Sequence, residues 1–210
     1  MNIEELIGNL AQDAGPLKPA PHPALVSLGW MAAAAVYLAL SLWISGVRPD
    51  LAQKFHEPWF VAEMAVLALI FIATSLSAAV LGFPDLHQMR KVAVAPVGLF
   101  ALFVVVLFFA WRADTPPAPQ PLHSIECTLS IALLALLPAI GTFFSLRKLA
   151  STHNRWAGSV ALLFAFSVGA LWLRLQEAND SISHVVLWHY LPMLGFAIVG
   201  WWLGRRWLKW

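Results

Sequence analysis

Six long apolar stretches, at 24–47, 59–82, 92–111, 127–146, 156–173 and 185–203, take up most of the chain. A helix needs about 20 apolar residues to cross the hydrocarbon core of a bilayer. A soluble core helix alternates a polar face with its apolar stripe, whereas residues 98–111 (GLFALFVVVLFFAW) are apolar all round. Of 210 residues, 60% are hydrophobic and 11% charged, the balance of a chain whose main solvent is lipid. The expectation is an all-α membrane protein: a six-transmembrane-helix bundle over 24–203, with an N-terminal segment 1–23 and a tail 204–210. Residues 1–12 hold Glu4 and Glu5 and no basic residue, and the first apolar run exceeds the core of a signal peptide. Segment 24–47 is therefore expected to remain as a span.

Orientation follows from the 13 Lys and Arg. Nine of them, Lys18, Arg90, Lys91, Arg147, Lys148, Arg155, Arg205, Arg206 and Lys209, fall in the termini and even-numbered loops, against Arg48, Lys54, Arg112 and Arg174 elsewhere. The positive-inside bias then puts both termini in the cytoplasm and the loops after spans 1, 3 and 5 outside. Most of the tryptophans, Trp43, Trp59, Trp111 and Trp156 among them, sit near span ends, where amphipathic rings favour the headgroup level.

The N-terminal segment carries its own signal. Ile3, Leu6, Ile7, Leu10 and Ala11 recur at i, i+3, i+4, i+7 and i+8, one apolar stripe on a helix. Asn2 with Glu5 forms a capping-box-like pair, and Gly15 then Pro16 supply a stop, so the spacing predicts a short amphipathic cytoplasmic helix over 3–14. A helix lying flat on the bilayer usually brings Lys or Arg on its polar face; this one brings Glu4, Glu5 and Asp13. Anionic lipid repels that face, and a groove on a basic protein partner suits it better, with Ile3, Glu4, Leu6, Ile7 and Leu10 as the contact set. Pro16, Pro19, Pro21 and Pro23 then favour polyproline II, a semi-rigid spacer of roughly 25 Å.

The outer side is selective in its ionisable residues: His56, Glu57 and Glu63 around the start of span 2, His123, Glu126 and Cys127 before span 4, Glu177 and Asp180 after span 5, His184 and His189 opening span 6. These types bind metals or take protons, and an ionisable group inside a span marks function and needs a partner. Glu126, Cys127, Glu177, Asp180, His184 and His189 are the sensor candidates, with Cys127, His184 and His189 as candidate metal ligands. Each taken alone is also readable as a side chain snorkelling to the headgroups. No CxxC or HExxH spacing, no GxSxG elbow, no phosphate-cradling glycine loop and no conventional DNA-reading module occurs, so neither an enzyme nor direct nucleic-acid binding is indicated. The doublets Arg90–Lys91, Arg147–Lys148 and Arg205–Arg206 serve as orientation anchors.

ELIGNLAQDAGPLKP near the N-terminus, GVRPDLA after span 1, IECTLSI opening span 4, LRLQEANDSISHVVLWH from span 5 into span 6 and the closing GRRWLKW together resemble the bacterial NrsF-type anti-sigma factors over essentially the whole chain. The resemblance implies a six-span inner-membrane protein, not an enzyme, that holds an extracytoplasmic-function (ECF) sigma factor inactive through its cytoplasmic part. An outer-face stress signal, metal or oxidative, then releases it. The family commonly pairs the span-4 cysteine with a second in loop 5; here the matching stretch is Gln176–Glu177–Ala178, and Cys127 is the only cysteine, so an intramolecular disulfide is impossible. Ligation by Cys127 with Glu and His neighbours, a dimer through Cys127, a different signal, or a buried structural thiol all remain open. No resident cofactor is expected beyond a metal ion acting as signal; the partners expected are the sigma factor and membrane lipid. The rival reading is a small transporter or metal-handling membrane protein, which needs polar groups at mid-membrane where spans 3 and 4 offer little beyond Ser130, Pro138 and Thr142.

Overall fold

The computed structural model describes residues 2–13, 21–84, 89–113 and 124–209, which are helical apart from short connectors, with no strand among them. The elements are α1 (Ile3–Asp13), α2 (Pro23–Ser45), the short α3 (Leu51–Lys54), α4 (Pro58–Leu81), α5 (Arg90–Ala113), α6 (Ile125–Leu146), α7 (Asn154–Gln176), α8 (Ile182–His184), a π-helical turn (Val185–Tyr190) and α9 (Pro192–Trp207). Six helices, counting 182–207 as one, are long and apolar enough to cross a membrane. Most of the proline-rich spacer, 14–20, and His123 lie outside the described residues.

Local chemistry sets the ends. Pro23, Pro58 and Pro192 open their helices, where a missing N–H costs nothing. Gly46, with φ 82°, ends α2 in the left-handed region that favours glycine. The first two expected spans start one residue earlier, at a proline, and stop sooner, at Ser45 and Leu81, while the other four are extended by a few residues that hydropathy leaves out, Arg174 at the end of α7 being the consequential one.

The helices run up and down, and the hydrogen bonds fix which ends meet. At one end Trp30 Nε1 donates to Ser145 Oγ (3.1 Å), Ser77 Oγ and Trp156 Nε1 both donate to the Ala93 carbonyl (2.8 and 3.0 Å), and α7 begins beside the end of α9. This end carries the start of α2 and the end of α9. At the other end Arg48 N donates to the Leu175 carbonyl (3.0 Å) and Thr128 Oγ1 to the Trp188 carbonyl (2.6 Å).

Helix α7 is the hub, buried from Ala157 to Leu171 without interruption and packed on α2, α4, α6 and α9. Glycine makes the α7–α9 approach possible: a Cβ at Gly158 lands on the Gly200 carbonyl, and one at Gly204 on the Asn154 carbonyl. Backbones that close need small residues at the crossing. Helix α2 is the opposite case, with only Ser27 and Ala34 buried. The bundle's outward faces are apolar, with Val36, Ile44, Val104, Phe109, Leu133 and Ile198 all exposed.

Candidate functional site

Two polar groups occupy the end of the bundle where α2 and α7 finish and α4 and α6 begin, and the connector 177–181 carries an acid into each.

The first is built from the start of α6, the connector after α7, α8 and the π turn. Cys127 Sγ lies 3.4 Å from Glu177 Oε2 and 3.7 Å from His184 Nε2. Glu177 Oε1 is 3.3 Å from His184 Nε2, and Oε2 is 3.0 Å from His189 Nε2. One ligand atom from each of the four lies within 4.8 Å of the others. Both histidines are buried, and their rings meet edge to face with centroids 5.1 Å apart.

Helical periodicity alone does not put these histidines together. At 3.6 residues per turn, positions i and i+5 point about 140° apart. The π turn widens the helix where Leu191 N donates back to the Val186 carbonyl at 2.8 Å, and it brings His184 and His189 to one side. Its cause is legible once seen. Pro192 has no N–H for the Trp188 carbonyl four residues earlier, and the Thr128 hydroxyl supplies the missing donor. Helix α6 therefore contributes Cys127 to the cluster and, one residue on, the prop that holds His189 in place.

The donor chemistry suits a metal ion. Donors held 2.0–2.3 Å from one ion lie no more than about 4.6 Å apart, close to the observed spread. Among the described residues His184 Nδ1 and both ring nitrogens of His189 are buried without a hydrogen-bond partner; His189 Nε2 is near Glu177 but outside hydrogen-bond geometry. Buried unpaired polar atoms are costly and call for an explanation, and a thiol, a carboxylate and two imidazoles converging on one point are a ligand set for Zn²⁺ or copper. Burial pushes the Glu177 carboxyl pKa up, but the adjacent His189 ring and the hydrogen bond from Cys127 outweigh it and hold the group below the usual carboxylate range.

The second group is ionic. Arg174 forks onto Glu63, Nε to Oε1 at 2.8 Å and Nη2 to Oε2 at 3.0 Å, and the Tyr190 hydroxyl donates to the same Oε1. Arg174 also reaches Asp180 Oδ1 at 3.2 Å. Asp180 accepts from Arg48 at 2.9 and 2.7 Å and pairs with Lys54 Nζ at 2.9 Å, while Arg48 forks onto Asp50 at 2.7 and 2.8 Å. Donating hydrogen bonds to Asp180 and Asp50 holds the Arg48 guanidinium's pKa well above its ordinary value. For Asp180, burial pushes upward and the bonds from Arg48 and Lys54 outweigh it, leaving the carboxyl far below the usual range.

Of the six sensor residues expected from sequence, the structure brings Cys127, Glu177, His184 and His189 together. Glu126 is exposed on the first turn of α6 and is not in the group. Asp180 joins the ionic network instead, because its side chain meets Arg48, Lys54 and Arg174. Sequence reasoning read Arg48, Lys54 and Arg174 only as topology charges and left Glu63 without a named partner. The available signal was the cost of a carboxylate inside a span, which demands a cation nearby. Ile3, Leu6 and Ile7 of α1 are exposed; Leu10 lies in α1, its side chain outside the described residues.

Fold and site together define a class: a protein helical in its described residues, with six membrane-length helices and a cluster of thiol, carboxylate and two buried imidazoles at one end. Residues 10–210 match the NrsF family, described as negative regulator of sigma F, and the chain belongs to that family, a regulatory and not a catalytic one. The anti-sigma-F factor NrsF of Caulobacter vibrioides is 29% identical over the full length of both chains, and the probable anti-sigma-F factor NrsF of Azospira oryzae is 27% identical, also over both full lengths. No solved structure matches.

Proposed function

We propose that this chain is itself an anti-sigma factor: it crosses the bacterial inner membrane six times with both termini in the cytoplasm, sequesters an ECF sigma factor through α1, and releases it when a thiophilic metal ion is bound by Cys127, Glu177, His184 and His189. The relatives' names support the regulatory half. Membrane insertion is supported by the apolar outward faces, which in water would be an aggregation surface of a size soluble monomers avoid. The orientation rests on the uneven distribution of Lys and Arg. With one cysteine in the chain, the signal is read by ligation and not by an intramolecular disulfide.

The observation that carries the signal is the set of four converging donors, two of them buried imidazoles with unpartnered ring nitrogens. Cysteine binds metal as the thiolate, so binding expels the thiol proton and draws the Glu177 carboxylate and both imidazoles onto one centre. That pulls together the start of α6, the connector after α7 and the π turn. On the cytoplasmic side the exposed Ile3, Leu6 and Ile7 are an unpartnered apolar stripe with Glu4 and Glu5 beside it, a helix to be laid in a groove.

The test of sequestration is to replace Ile3 and Ile7 together by Asp. Burying unpaired carboxylates in an interface costs several kcal/mol, so the sigma factor should no longer co-purify with the detergent-solubilised protein and its target genes should be expressed constantly. Normal co-purification and repression at normal protein level would move the interface away from α1.

A further inference from the structure

The connector 177–181 places two acids three residues apart in two different polar groups, and one of those groups grips α2. Arg48, two residues past the Gly46 cap of α2, is buried and forks onto both Asp50 and Asp180. It also holds the backbone where α7 passes into the connector: Arg48 N donates to the carbonyl of Leu175, in the last turn of α7, at 3.0 Å, and Nη2 lies 3.5 Å from the Ala178 carbonyl in the connector. Ala178 is the residue after Glu177, so Arg48 touches the chain on both sides of the cluster's carboxylate.

Beyond that joint α2 packs on Phe71, Phe164 and Val168 through Ala34 and the half-buried Trp30, Met31, Tyr37 and Leu38. Among the described residues its other side-chain hydrogen bonds to the bundle are two between Ser27 and Ser75 (2.8 and 3.3 Å), one from Trp30 to Ser145 (3.1 Å) and one from Trp172 to Ser45 (3.1 Å). Its first residue, Pro23, follows directly on the segment that carries α1. The helix least embedded in the bundle therefore links the ionic clamp to the proposed sigma-binding element.

We propose that Arg48 and Asp180 form the transmission joint of the switch: they tie α2 to the connector bearing Glu177, so that ligation at the cluster shifts the connector, loosens the clamp and lets α2 move, withdrawing α1 from its partner. This rests on the reading above, in which α1 sequesters and the cluster senses. A clamp carries such a message because a packed joint has discrete arrangements instead of deforming smoothly, and a ligand biases whichever it fits. Arg48 and Asp180 touch none of the four donors' ligating atoms, so they are positioning residues whose loss should spare metal affinity.

The experiment uses the full chain expressed with its sigma factor and a target-gene reporter, with Zn²⁺ and Cd²⁺ as probes. Asp180→Asn removes the charge, and Arg48→Lys keeps a cation but loses the fork that spans two carboxylates. Both should raise metal-free transcription roughly tenfold, within the usual range for coupling between sites, and added metal should raise it little further. Sigma factor recovered per mole of purified protein should fall to match, a measure that discounts lower abundance. Zn²⁺ affinity of the purified variants should stay within about threefold of the parent. Lys54→Gln, at the partly exposed rim of Asp180, should act in the same direction more weakly, and keeps the test open if the buried variants fail to accumulate. The order of action is read from the pair Cys127→Ser with Asp180→Asn: the first alone should be uninducible, and the second should restore release. Full repression and full induction in the clamp variants, or an uninducible double variant, would overturn the proposal. A parent that binds no metal and responds to none would instead overturn the sensing reading, while derepression by Asp180→Asn would still stand for the clamp.

Discussion

Arg174 and Glu63 bear the largest electrostatic stake of any two residues here. Both are buried and joined by two parallel N–H to O bonds, with the Tyr190 hydroxyl as a third donor to the carboxylate. Removing one member leaves the other charge stranded, at a cost of about 3–5 kcal/mol, whereas replacing both with apolar groups of similar size costs far less. Arg174→Met should therefore lower the melting temperature in detergent much more than Arg174→Met combined with Glu63→Leu. Additive losses in that cycle would mean that the pair is not coupled. Asp180 offers a complementary check by pH. Because its folded pKa is depressed, its contribution to stability is present above the ordinary carboxylate range and is lost only as pH falls through the lowered value. The stability difference between parent and Asp180→Asn should stay constant from pH 7 to 5; a difference that vanished by pH 5 would take Asp180 out of the network. None of this pairing was legible in sequence, since Glu63 and Arg174 stand 111 positions apart. The sequence carried only the demand that a carboxylate in an apolar helix find a cation.

The π turn is the element on which the site depends. Hydropathy located the six long helices because a run of apolar residues has no other stable use, and the limits of those runs marked the helix ends to within a few residues. A 3.6-residue reading cannot foresee a π turn, and in an ordinary α-helix His184 and His189 diverge. The clue lay in Pro192, which denies the Trp188 carbonyl its donor, but the compensating hydroxyl comes from Thr128 on a different helix. Pro192→Ala returns the N–H and allows the turn to relax to α-helical geometry, swinging His189 away from Glu177. The expected outcome is at least a tenfold loss of Zn²⁺ affinity with the helix content by circular dichroism unchanged, on the scale seen when groups that orient a metal ligand are altered. Unchanged affinity would mean that the turn is held by its packing and not by proline. Thr128→Val should have the same effect, smaller, because it only strands a carbonyl.

At the scale of the molecule the architecture separates a buried part from a peripheral one. Helix α7 is sealed among four neighbours, with Gly158, Gly200 and Gly204 allowing α9 to lie against its backbone. Helix α2 rides on the outside, fixed by Arg48 at one end and joined to α1 at the other. The proposed switch uses that asymmetry: the sealed helices hold the cluster in register, and the loosely held helix carries the change across. Charge distribution and helix count pointed to the topology from sequence, but which helix is central and which peripheral was not readable, because all six are similarly apolar. The central claim is that metal at Cys127, Glu177, His184 and His189 lowers the affinity of the cytoplasmic face for its sigma factor. The most direct measurement is the affinity of the purified, reconstituted protein for its sigma factor with and without Zn²⁺, in the parent and in His189→Ala. The account predicts that Zn²⁺ weakens binding to the parent roughly tenfold or more and leaves binding to His189→Ala unchanged. Equal affinity with and without metal in the parent, at Zn²⁺ concentrations that saturate the cluster, would contradict it.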